Sequence, residues 1–142
     1  MKLGESKIGR TIFARLQEGE DLLEAITRQT TQSEITAGFF QLIGTLKEAK
    51  LGFYRHGEYE AIEILGPLEI VSCLGNVSVK DTETIVHAHI AVADETGAVF
   101  GGHLLPGCPV SVTGELVLVE TPDVRLERKW DEKTKLHLLS SG

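Results

Sequence analysis

From Glu34 onward, turn signals recur about every eight to twelve residues: Gly38, Gly44, Gly52, His56-Gly57, Gly66-Pro67, Gly75-Asn76, Glu95-Thr96-Gly97, Pro106-Gly107 and Gly114. The intervals are short apolar or alternating runs, too short for a series of long helices and suited to an antiparallel sheet. Strands are expected at Leu51 to Arg55, Tyr59 to Leu65, Leu68 to Gly75, Thr84 to Ala93, Ala98 to Leu105 and Pro109 to Glu120. Ala37 to Leu46 fits a helical face as well as a buried strand. Ahead of these, Ile8 to Leu16 reads as a first strand. A helix follows, with Glu20 and Asp21 placing negative charge at its start and Leu22, Leu23 and Ile26 forming an apolar face up to Arg28. Thr121-Pro122-Asp123 breaks the sheet, and Val124 to Trp130 with Lys135 to Leu139 suggests a closing hairpin. The expectation is an α+β fold in one domain over residues 1–142, with about seven mostly antiparallel strands and one or two flanking helices.

The chain has 142 residues, enough for one hydrophobic core, and its 21 acidic against 14 basic side chains give a formal charge of −7. That charge repels phosphate backbones. The richest basic stretch, Arg125-Leu126-Glu127-Arg128-Lys129, is interrupted by Glu127 and reads as a solvated strand. Cys73 and Cys108 lie in apolar surroundings and form no CxxC pair, so they are expected as free thiols in a reducing cytoplasm. The start Met1-Lys2-Leu3-Gly4-Glu5-Ser6 lacks the apolar core of a secretory signal, and no apolar run approaches the roughly 18 residues of a membrane span. A soluble, cytoplasmic chain without membrane attachment is expected.

Chemistry concentrates in three histidines. His87 and His89 are two apart in a run rich in Ile, Val and Ala, so as strand residues they share a face with Cα atoms about 6.6 Å apart. Both imidazoles can then converge on one ion at roughly 2.1 Å, and His103, in Gly101-Gly102-His103-Leu104, is the third candidate ligand. Asp94-Glu95-Thr96-Gly97 makes the two segments hairpin partners. With Glu95 and Thr96 at the tip, His89 faces Gly102 and His87 faces Leu104, so His103 reaches the common face only through a bulge at Gly101-Gly102. Three imidazoles favour zinc first, then iron, nickel or copper, and leave an open coordination position. A ligand-binding polar cavity and purely structural histidines are the competing readings. His56 and His137 read as surface residues, and among the carboxylates Glu69, Asp81, Glu83 and Glu115 no spacing selects a general base.

Six phrases then coincide in order: Glu18-Gly19-Glu20-Asp21-Leu22-Leu23, Ala37-Gly38-Phe39-Phe40, Leu51-Gly52-Phe53-Tyr54, Glu69 through Asn76, His87-Ala88-His89, and Gly101-Gly102-His103-Leu104 with Gly107-Cys108. From Ile12 to Leu139 the chain resembles the PPC domain (plants and prokaryotes conserved). The resemblance implies an α+β domain assembled as a homotrimer. It also implies a DNA association, since the plant members join this domain to an AT-hook, Arg-Gly-Arg-Pro, and the prokaryotic ones are often labelled DNA-binding. No Arg-Gly-Arg-Pro occurs here. The plant partner-contact segment Gly-Arg-Phe-Glu-Ile-Leu is matched by Gly66, Pro67, Leu68, Glu69, Ile70 and Val71, with its Arg and Phe replaced. Gly75-Asn76-Val77-Ser78 resembles the family's Gly-Asn-x-Ser turn and makes Asn76 and Ser78 candidates for lining a pocket. The functional expectation is a homotrimeric binding module, with a regulatory role, that holds a metal or small ligand at His87, His89 and His103. A DNA-associated transcriptional regulator ranks second and a metal-dependent enzyme third.

Overall fold

The turn signals place strands, but several of the glycines lie inside them. The computed structural model describes residues 1–142. It contains β1 (Thr11–Leu16), α1 (Leu22–Gln32), β2 (Gly38–Arg55), β3 (Glu58–Lys80), β4 (Glu83–Ala93), β5 (Val99–Leu104), β6 (Val110–Glu120), β7 (Leu126–Asp131) and β8 (Leu136–Ser141). Eight strands thus replace the expected seven, with one helix. The segment from Ala37, ambiguous by pattern, joins the Leu51 run in the 18-residue β2, and the two runs on either side of Gly66-Pro67 merge into the 23-residue β3. Gly75 marks close backbone approach rather than a turn. A Cβ there would lie 2.2 Å from the His87 carbonyl oxygen and 2.6 Å from the Phe40 ring.

The sheet runs β1-β6-β2-β5-β4-β3-β7-β8, and β2 also pairs with β3, so β2, β5, β4 and β3 close into a ring. Register shifts on β2 between Leu42 and Gly44 and between Leu46 and Glu48, and on β3 between Ile70 and Ser72, mark irregularities where these long strands bend enough to close it. Neighbouring strands are antiparallel except at the single parallel bridge Val79↔Glu127, which attaches the β7–β8 hairpin. Period-2 alternation fills the interior. Phe40, Leu42, Cys73, Ala88, Ile90, Val92 and Leu104 are buried, together with Leu116 and Leu118 of β6.

The helix packs Leu22, Ala25 and Ile26 into this core. It runs past Arg28 through the polar residues expected to end it, because Thr30 is fully buried and its hydroxyl donates to the Ile26 carbonyl at 2.8 Å. Its start is fixed by Asp21, whose Oδ1 accepts the Glu24 N–H at 3.2 Å. The other carboxylate oxygen accepts the N–H groups of Gly107 and Cys108 at 2.7 and 2.9 Å. One side chain therefore satisfies a helix end and the loop entering β6.

Cys73 and Cys108 are free and buried. Burial pushes the Cys73 thiol up to about 12, with a smaller contribution from Cys108. Burial raises Cys108 to about 11, against the Lys50 backbone N–H, which donates to its sulfur, and with the charges of Asp21 and Glu48. No helix is long and apolar enough to cross a membrane.

Replacing Asp21 with Ala is expected to cost about 2 kcal/mol of stability in urea denaturation, since it removes a helix cap and strands two loop N–H groups. Asp21→Asn, which keeps an acceptor, should cost less. The raised thiols mean that the unfolded chain ionises first, so stability should decline as pH rises past the ordinary thiol value of 9.0. Iodoacetamide at pH 8 should label neither cysteine in the native protein and both in denaturant, as read by intact mass.

Candidate metal centre

The β4–β5 hairpin decides where the histidines lie. Asp94 N–H donates to the Ala98 carbonyl and Gly97 N–H to the Asp94 carbonyl, both at 3.0 Å, and Gly97 supplies the left-handed residue at φ +80°.

 The Asp94 carboxylate accepts from the Thr96 hydroxyl at 2.6 Å and from the N–H groups of Thr96 and Ala98 at 2.9 and 3.1 Å. These donors, the Thr96 hydroxyl foremost, hold the Asp94 carboxyl below its ordinary range. The tip is therefore three residues, Glu95-Thr96-Gly97, rather than the expected two, and this shifts the register by one. His89 lies opposite His103 and Ile90 opposite Gly102, in unbroken pairing through Ala93↔Val99. The bulge expected at Gly101-Gly102 is absent, and His103 reaches the outer face by simple alternation.

The three imidazoles cluster on that face. Ring centroids are 5.2 Å apart for His87 and His89, 5.0 Å for His87 and His103, and 5.6 Å for His89 and His103. One ring nitrogen from each lies within 4.8 Å of the other two. Tetrahedral ligands at roughly 2.1 Å from an ion sit about 3.4 Å apart, so closure needs a contraction of at most about 1.4 Å, within reach of side-chain rotation. Two further observations fit a metal. Nδ1 of His103 is buried without a hydrogen-bond partner, a condition that disfavours the unliganded state. Burial, followed by the charges of His87, His89 and Arg128, lowers His103 to about 4. Burial, then Arg128 and His89, lowers His87 as well. Both rings are thus neutral at physiological pH, the form that donates a lone pair. His103 is held by stacking on Tyr59, with centroids 4.3 Å apart. The carboxylates Glu69, Asp81, Glu83 and Glu115 stand outside this cluster of candidate ligands.

Asn76 and Ser78 form no turn. They lie within β3, where Asn76 pairs with His87, and both serve Arg128 of β7. Arg128 Nη2 donates to Asn76 Oδ1 at 2.6 Å, Nε to Ser78 Oγ at 3.0 Å, and Nη1 to the His137 carbonyl at 3.5 Å. The segment read as a solvated strand therefore supplies a half-buried cation to the histidine face. The available signal was the polar pair Asn76 and Ser78, spaced by two like His87 and His89, on a face that needed a donor-rich partner. Tyr59, His87, His103, Arg128 and Leu138 help to line a cavity of about 350 Å³. His56 lies in an exposed turn as expected, while His137, also exposed, borders this cavity.

Residues 3–122 match the Plants and Prokaryotes Conserved (PCC) domain. A plant- and prokaryote-conserved protein from Pyrococcus horikoshii superposes with a TM-score of 0.91 at 38% identity, covering 100% of this chain and 99% of that one. A metal-containing protein from Archaeoglobus fulgidus gives 0.89 at 34% identity, covering 97% and 98%. A candidate DNA-binding protein from Bacteroides thetaiotaomicron gives 0.82 at 25% identity, covering 96% and 94%. The bifunctional protein GlmU of a Synechococcus strain is 35% identical over 129 residues, 87% of this chain, and the chain spans 19% of its length.

Because one parallel bridge and the Arg128 hydrogen bonds are its principal ties to β3, the β7–β8 hairpin should loosen in an Arg128→Met variant. Hydrogen exchange is expected to accelerate over residues 126–141 while the amides of β4 and β6 keep their protection.

Proposed function

The chain belongs to the Plants and Prokaryotes Conserved domain family, and from that membership and its histidine face we propose that it is a homotrimeric binding module holding a transition metal at His87, His89 and His103, with a regulatory role. The carrying observation is the convergence of three imidazole nitrogens within 4.8 Å, one ring with a buried, unpartnered nitrogen. Likeness to a metal-containing protein supports the reading. Zinc suits three neutral imidazoles and a fourth open position. When bound, the metal supplies a Lewis-acidic position for an exchangeable ligand. Tyr59 orients the His103 ring by stacking on it, and Arg128 contributes positive charge beside the histidines.

Trimer formation is supported by apolar surface on the same outer face. Phe13, Val117, Gln41, Leu74, His89 and His103 follow one another across paired strands, and Phe13 and Leu74 are exposed. A cytoplasmic location accords with two buried free thiols.

A second reading, a DNA-associated transcriptional regulator, is supported by likeness to candidate DNA-binding proteins from Bacteroides thetaiotaomicron and Ralstonia eutropha. The formal charge of −7 ranks it below the first.

Untagged protein should carry close to one equivalent of transition metal per chain by mass spectrometry of the metals, and His87→Ala with His89→Ala should lose nearly all of it. Metal-free native protein of undiminished stability would overturn the metal reading. Light scattering should give three times the 15.5 kDa chain mass, and a monomer would remove the trimer. Binding to AT-rich duplex that weakens steeply with salt would instead favour the second reading.

A further inference from the structure

We infer that the cavity between β4 and the β7–β8 hairpin binds a small carboxylate, with one oxygen on the open position at the histidine centre and the other on Arg128. This rests on the metal reading and names the ligand class that the site takes.

Arg128 has five N–H groups, and its bonds to Ser78, Asn76 and His137 use three. One N–H on each terminal nitrogen remains without a protein partner. Burial also pulls its pKa below the ordinary arginine value, with Tyr59 acting in the opposite sense, so the cation is partly desolvated beside the histidines. A partly desolvated guanidinium with unassigned donors can hold one oxygen of an anion by a charge-assisted hydrogen bond and leave a second oxygen for the histidine centre.

The rest of the cavity argues for the same class. Lys80 and Arg128 are its charged lining residues, and no carboxylate lines it, in a chain with a formal charge of −7. Ile85, Leu136 and Leu138 give it an apolar side suited to a short hydrocarbon tail. A carboxylate divides its two oxygens between the histidine centre and Arg128 and carries a short hydrocarbon tail to the apolar side. The site also needs both parts of the chain. The histidines lie within the family match over residues 3–122, and Arg128 lies beyond it.

The test uses the full chain loaded with cobalt(II), whose visible spectrum reports its coordination, titrated with butyrate and with neutral butyramide. One cobalt per chain should bind, and butyrate but not butyramide should shift the spectrum. Arg128→Met should retain cobalt and weaken butyrate about tenfold or more, while Arg128→Lys, which loses the same hairpin bonds but keeps the charge, should retain most of the affinity. Failure of cobalt uptake overturns the metal reading and this inference with it. Cobalt uptake without a butyrate response, an equal response to butyramide, or equal butyrate affinity in the Met and Lys variants overturns the inference alone.

Discussion

The register of the β4–β5 hairpin is the constraint on which the rest depends. Strand side chains alternate between faces, so burying Ala88, Ile90 and Val92 in the barrel puts His87 and His89 on the outside. The same rule applied to β5 buries Leu104 and turns His103 outward. These two sets meet only because the three-residue tip sets His89 against His103. Asp94, by accepting from Thr96 and Ala98, secures that tip at one end, and Gly97 supplies the left-handed residue at the other. A two-residue tip would put Gly102 opposite His89 and turn His103 toward the core.

The legible parts of the fold were those governed by local periodicity. The HxH spacing identified a shared face, and the apolar alternation of β4 and β6 placed both strands to within a residue. The lengths of β2 and β3 were not legible, because glycine signals a turn and also marks places where backbone approaches too closely for a Cβ, as at Gly75. Distinguishing these requires the partner strand. The end of α1 was missed for a related reason. Thr30 has a polar side chain that a helix can satisfy internally, so a polar run did not stop the helix.

Arg128 was illegible for a different reason. Its role depends on residues 50 and 52 positions earlier in the chain. Nothing in Arg125-Leu126-Glu127-Arg128-Lys129 distinguishes a solvated cation from one held by two polar side chains of another strand. The site thus joins a part fixed by short-range rules, the histidines, to a part fixed by a long-range contact.

That contact has a thermodynamic consequence. Arg128 anchors the hairpin to Asn76 and Ser78 and also lines the cavity, so docking of the hairpin and the proposed filling of the cavity draw on one side chain. Linkage makes the coupling reciprocal: whatever steadies the guanidinium from the ligand side favours the docked hairpin, and whatever presses the hairpin onto β3 strengthens binding by the same factor. A partner that never touches the histidines, by gripping the outer surface of β8, would thereby set the affinity of the site beneath it.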